Sequence, residues 1–355
     1  PPPHTPPPPT STPRSNRRQR QMCIRDRRSS IGDVKPLAAY HDQYRLALLD
    51  RGLYFADGQI DDEVFVLGSF LQSKMHQNGV TCNNCHDPHS GKLIAEGNAL
   101  CAQCHKPSTF DSQSHHHHQP GSTGALCVNC HMPERTYMTV DPRRDHSFVI
   151  PDTWQAADNG APNACSSCHQ GKTSQWAAAA MENWGLDQKQ NAWVRYNQGL
   201  DRRDVLVFRD YAQSPPTSGL SPISQATLLS KLAGFPSRLA VETASARLAN
   251  PDPLIRRAAV SALASLPADL RWQLLNPLID DPVKSIRLEV ANHLADALLQ
   301  VQGQDAERLG ALIDEYRKSL AFNADSPAGQ LALGILEQQL GYSILAERAY
   351  LRALE

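Results

Sequence analysis

Cys82-Asn-Asn-Cys85-His86, Cys101-Ala-Gln-Cys104-His105, Cys127-Val-Asn-Cys130-His131 and Cys165-Ser-Ser-Cys168-His169 are four copies of C-x-x-C-H between residues 82 and 169. Two thiols so spaced, with an imidazole directly after the second, are what covalent haem attachment requires. The thiols add across the vinyl groups and the histidine reaches the iron. One copy alone could be a redox dithiol or half of a zinc site. Zinc uses paired C-x-x-C units and gives no reason for a histidine after each. The four copies therefore point to four haem c groups, held by Cys82, Cys85, Cys101, Cys104, Cys127, Cys130, Cys165 and Cys168. His86, His105, His131 and His169 are then the proximal ligands.

The other face of each iron takes a second ligand or stays open. The candidates are histidines near the motifs: His76, His89, His115, His118 and His146. His89, three residues after His86, cannot swing to the far side of the same haem but can reach a neighbouring one; otherwise it is a surface residue in a turn made by Pro88. The run His115–His118 reads as the source of one axial ligand, against a tag or a surface metal patch. His115 and His118 share a face if the segment is helical. Asp145 or a backbone carbonyl is expected to orient the His146 ring. His41 and His293 read as structural. Met75, Met132 and Met138 are weaker candidates, so mostly bis-His, low-potential haems are expected.

Around this centre the composition is bland. The chain has 355 residues and a formal net charge of −1, which gives no basic excess for nucleic acid. No run of about 18 apolar residues suggests a membrane span. Eight of the nine cysteines belong to the motifs, so they are attachment chemistry and not a disulfide framework. Haem c is attached outside the cytoplasm, so a periplasmic or other extracytoplasmic location is expected, with an export signal that the chain does not display. The opening residues offer a reason. Residues 1–16 are low in complexity, and Arg17–Arg27 (RRQRQMCIRDR) reads as the in-frame translation of a transposase sequencing adapter. The bland alternative is a basic arm. On the adapter reading Cys23 has no role, and the natural N-terminus with its signal peptide is expected to be missing.

Residues 28–80 read as a lead-in segment of the haem domain, with a turn at Asp57-Gly58. Residues 81–175, rich in Asn, Gly, Pro, Ser and His, form the tetrahaem segment, where porphyrin stands in for an apolar core. Residues 176–220 hold a helix and the linker Ser214-Pro215-Pro216-Thr217-Ser218-Gly219. In 221–303, Ile255-Arg256-Arg257 and Ile286-Arg287-Leu288 each follow an Asp-Pro pair, about 31 residues apart, which suggests repeated helical hairpins. In 304–355, Leu333-Gly334, Ala346, Tyr350 and Ala353 fall on tetratricopeptide positions, Tyr316 lies 34 residues before Tyr350, and Gln330 departs from the pattern. This last repeat is expected to be truncated. The fold class is mainly α: an irregular multihaem cytochrome c domain followed by an α-solenoid of HEAT-like and TPR-like hairpins.

With those residues in view, residues 28–355 resemble multihaem c-type cytochromes of the doubled CXXCH kind fused to HEAT and tetratricopeptide repeats. The resemblance rests on Gly68–Lys74, Gly79–Cys82, Cys85-His-Asp-Pro-His-Ser90, Cys130-His-Met-Pro133, Thr136-Tyr-Met138 and Asp141–Ser147. It implies further haem sites upstream, and Arg27-Arg28-Ser29 is similar to the residues just downstream of such a site. It also implies a periplasmic electron carrier.

The function expected is electron transfer through closely packed haems, with redox partner proteins docking on the repeats. The alternatives are a nitrite- or hydroxylamine-type reductase whose catalytic haem lies upstream, and a repeat scaffold whose haems sense redox state.

Overall fold

A computed structural model of the chain describes residues 30–32, 35, 38–62, 64–137, 139–186, 191–216 and 219–355. The tail 1–27 with its adapter-like run and Cys23, together with Arg28, Ser29, Glu63, Met138 and the linker residues Thr217 and Ser218, lies outside the described residues. The described chain is mainly helical, with one two-stranded sheet. It forms two compact units, one of residues 51–189 and one of residues 27–50 with 190–355. This division departs from the one read off composition. The lead-in 28–80 is parted at residue 50, and the second break falls at 189, not at the Pro-rich linker.

Eleven helices of eight residues or more are present among the described residues. They are α1 (Ser174–Asn183), α2 (Ala192–Asp201), α3 (Val205–Gln213), α4 (Pro222–Ser230), α5 (Arg238–Ser245), α6 (Pro253–Ala262), α7 (Ala268–Leu275), α8 (Lys284–Leu294), α9 (Gln304–Ala321), α10 (Pro327–Gln339) and α11 (Ser343–Leu354). In the helical unit α2, α4, α6 and α8 pack in succession, and α3 packs on α5 beside them. The stretch 214–219 thus joins two helices of one unit, α3 and α4. Its prolines stop a helix without marking a domain boundary.

The 31-residue repeat has a physical counterpart. Arg256 donates to the carbonyl of Asn250 (2.8 Å) and Arg287 to that of Asp281 (2.9 Å), each six residues back. Each then pairs with an acid of the next hairpin, Arg256 with Asp281 and Arg287 with Glu315. Asp252 caps α6 by accepting from Leu254 N at 2.8 Å. Farther on, Gly334 lies against the Tyr350 ring where a Cβ would stand 2.4 Å from it, so this position in α10 takes no side chain if α11 is to pack.

Residues 38–50 lie along these helices as a strap. Leu46, Ala47, Leu48 and Leu49 are buried. Arg257 donates to Leu46 O (2.5 Å), Leu49 N to Thr227 Oγ1 (3.0 Å) and Lys284 N to Asp42 Oδ1 (2.8 Å). Arg45 pairs with the buried Glu289 at 2.8 Å. Burial alone would raise the Glu289 carboxyl, but Arg45, His293 and Arg257 beside it hold it well below the usual carboxylate range. Removing a partner of a buried ion leaves an uncompensated charge. The Arg45 side chain is 42% exposed, so a discounted cost of about 2 kcal/mol is expected for Arg45→Met. Chemical denaturation of the helical unit would read it.

The other unit is built differently. Between Ser73 and Tyr137 the single buried residue is Ala125. Side-chain packing is confined to two ends. At one, residues 53–72 pack on the hairpin of β1 (Glu134–Tyr137) and β2 (Asp141–Arg144), which pairs Glu134 with Arg144 and Tyr137 with Asp141. Arg135 and Tyr137 both donate to Ile60 O, at 2.8 and 3.3 Å. The Asp57-Gly58 turn forms where the sequence places it, with Phe55 N donating to Gln59 O at 2.8 Å. At the other end α1 packs on the helix Thr153–Asn159, with Met181, Ala177 and Ala156 buried.

Candidate functional site

The motif segments are short turns, not long helices. Cys82–Asn84 and Ala164–Ser167 are single 3-10 turns, Ala99–Ala102 and Cys127–His131 single α turns. Each brings the histidine one turn beyond the first cysteine: the backbone N–H groups of His86, His105 and His169 donate to the carbonyls of Cys82, Cys101 and Cys165 at 2.8, 2.9 and 2.9 Å. Asn98 ties motif two to motif three, accepting from Cys127 N at 3.0 Å and donating to Ala125 O at 2.9 Å.

All eight motif cysteines are free thiols. Burial raises the thiols of Cys85, Cys101, Cys127, Cys130 and Cys165, with Cys101 pushed up to about 11. The neighbours that perturb them follow the order of the sequence: Cys104 beside Cys85, Cys127 hydrogen-bonded to Cys101, and Cys165 and Cys168 beside Cys130.

Three motif histidines each face a second imidazole. His86 and His146 stand with ring centres 6.4 Å apart and planes 25° from parallel. His131 and His115 are 6.2 Å apart at 16°, and His169 and His118 are 6.1 Å apart at 43°. Direct aromatic stacking would be tighter. With about 2 Å from a metal to a ligating imidazole nitrogen and about 1 Å from that nitrogen to the ring centre, two rings flanking one metal have centres about 6 Å apart. The observed spacings match that arrangement.

The hydrogen bonds on the far side of the rings agree. Nδ1 of His86 donates to Gly91 O (3.1 Å), that of His131 to Val149 O (2.8 Å), that of His146 to Arg144 O (2.9 Å) and that of His118 to His116 O. A carbonyl only accepts, so the proton sits on Nδ1 and Nε2 keeps its lone pair for a metal. Burial lowers the imidazoles of His146 and His115 from their ordinary value. Near the motif histidines some large apolar side chains are exposed: Leu93 at 52% and Ile94 at 48%, beside the first motif, and Phe110 at 43%, beside His105 and His115. A planar apolar cofactor fits a segment that has ring pairs, exposed apolar side chains and one buried residue. Among the described residues no three His, Cys, Asp or Glu side chains converge as a zinc site would need.

Of the two orienting groups expected for His146, the backbone carbonyl does the work. Asp145 is buried and instead accepts from Ile60 N (3.1 Å), the Ser69 hydroxyl and Ser147 N (2.7 Å), fixing the end of β2 to residues 60–69. The expectation that His115 and His118 share a helical face is corrected. The helix Gln113–His116 ends there, because His117 adopts a left-handed conformation at φ 55° and turns the chain. The two rings therefore face different motifs, His115 that of His131 and His118 that of His169.

His76 packs edge-on against Phe70 at 5.3 Å. His89 is exposed on the Asp87–Ser90 turn. His105 has Phe110 edge-on at 5.5 Å, and among the described residues no imidazole is stacked against it. Met138 is not described. Sequence reading missed the aromatic neighbours: Trp176, 4.8 Å from the His169 ring, and Trp184, stacked on His117 at 4.3 Å. Their only sequence signal is a pair of tryptophans eight residues apart after the fourth motif. No helix among the described residues is long and apolar enough to cross a membrane.

No curated protein and no solved structure matches the chain. Residues 75–110, which hold the first two motifs, match the family model of the doubled CXXCH motif. They form a c-type-cytochrome-like haem-binding region, whose chemistry is covalent attachment of haem c.

Proposed function

We propose that the chain is an extracytoplasmic multihaem c-type cytochrome that carries electrons, with one haem c on each of its four motifs. The observation that carries this is the set of three histidine pairs, His86 with His146, His131 with His115 and His169 with His118, each spaced for one metal between them. A haem ligated on both faces supplies one-electron transfer and leaves no position for substrate. The helical unit, read as HEAT-like and TPR-like hairpins, is assigned the docking of a redox partner. The regular Arg256 and Arg287 pairing supports a repeat, and the packing of Gly334 against Tyr350 supports the tetratricopeptide-like end.

The reductase alternative keeps one foothold, at His105. Cyanide titration of the oxidised, haem-loaded chain, read by low-temperature EPR, separates the two. For a pure carrier, cyanide leaves all signals unchanged, and either His76→Ala or His89→Ala exposes one new high-spin haem. Cyanide binding to one haem in the unaltered chain, with both variants silent, would establish an open iron at His105 and overturn the pure-carrier assignment.

A further inference from the structure

His115 and His118 are three residues apart and face different motifs. His115 faces His131 and is held on its other side by Phe110, edge-on at 5.6 Å. His118 faces His169. The residue between them that reverses the chain, His117, has a non-glycine backbone at φ 55°, a conformation that stands only when its surroundings hold it. What holds it is Trp184. The two rings are parallel within 8°, 4.3 Å apart, and Trp184 caps the C-terminal end of α1. The same helix places Trp176 against the His169 ring. On the other side Gly124 lies under His118, where a Cβ would stand 2.2 Å from the ring. The run is therefore gripped from α1 through His117 and seated on Gly124.

We propose that His115–His118 is a two-ended clip that gives one ligand to the third motif and one to the fourth, and that Trp184 is the positioning residue that keeps both ends engaged. This rests on the reading of the ring pairs as haem ligands. Neither Trp184 nor Gly124 touches the iron. Each acts through a histidine: Trp184 through His117 on both ends, Gly124 on His118 alone. The two sites are then coupled mechanically, so that loosening the clip disturbs two haems while leaving the haem at His86, closed by His146, as it was.

The test uses the full haem-loaded chain and low-temperature EPR with a potentiometric titration. Trp184→Leu is expected to convert the haem at His169 to a mixture of low- and high-spin forms. It should also shift the low-spin signal of the haem at His131. Trp184→Phe, which keeps a stacking face, should restore most of the unaltered spectrum. Gly124→Ala should disturb the haem at His169 only. Trp184 is 38% exposed at a helix end, so its variants keep the fold, and unchanged far-ultraviolet circular dichroism checks this. If His118→Ala produces a high-spin haem and Trp184→Leu leaves every signal unchanged, the ligand reading stands and the clip is wrong. If His118→Ala itself changes nothing, the ligand reading fails first.

Discussion

Made without haem, the chain is expected to lose amide-exchange protection across residues 74–136 to the level of an unfolded chain, while α4 to α9 keep theirs. The reason is the content of the two regions. Ordering a residue costs about 1–2 kcal/mol of backbone entropy, and a fully buried aliphatic side chain returns about 1.5–3 kcal/mol. Between Ser73 and Tyr137 the one buried residue is Ala125, so no side-chain term offsets ordering. The short turns of the motifs cannot stand alone either, since helix nucleation is unfavourable below about 12 residues. Bound haem would supply what is missing, as apolar surface for exposed side chains such as Leu93, Ile94 and Phe110 and as a metal that the paired imidazoles could hold. The helical unit has its own core, with Ile223, Leu228, Ile286, Leu294 and Leu309 all below 2% exposure. Hydrogen exchange read by mass spectrometry on haem-free and haem-loaded chains makes the comparison. Equal protection in 74–136 would mean that the segment folds on side chains alone.

The second large effect is expected at His146. His146→Ala should turn one haem, that of motif one, from low-spin to high-spin and open it to cyanide, with the signals of the pairs His131–His115 and His169–His118 unchanged. His146 is half-buried and aimed by the Arg144 carbonyl, and β2 reaches it from a hairpin anchored through Asp145. The ring pair therefore ties motif one to a segment sixty residues on, so the variant should also lower the unfolding temperature of this unit. A spectrum with four unaltered haems would remove His146 from the ligand set.

The attachment cysteines and motif histidines are legible in the sequence because their chemistry is local: two thiols and an imidazole within five residues. Which histidines face the motifs is only half legible. His146, His115 and His118 stand out by residue type, but their pairing is set by the β1–β2 hairpin and by His117, and four identical residues in a row carry no signal for a left-handed turn in the third. The placement of residues 38–50 is illegible for a different reason. Leu46–Leu49 reads as any apolar run, and the groups that claim it, Thr227 and Arg257, lie about 180 to 210 residues away, while the Glu289 that pairs with Arg45 beside it lies about 240 residues away.

The central claim is that each of the four motifs takes a haem c. Intact-mass measurement of the chain, produced in a bacterial periplasm with the haem-attachment machinery, tests it most directly. A single species carrying four covalently bound haems, reduced to three by replacing Cys127 and Cys130 with alanine, is the expected result. A chain carrying two haems, both on the motifs within residues 75–110, would contradict it.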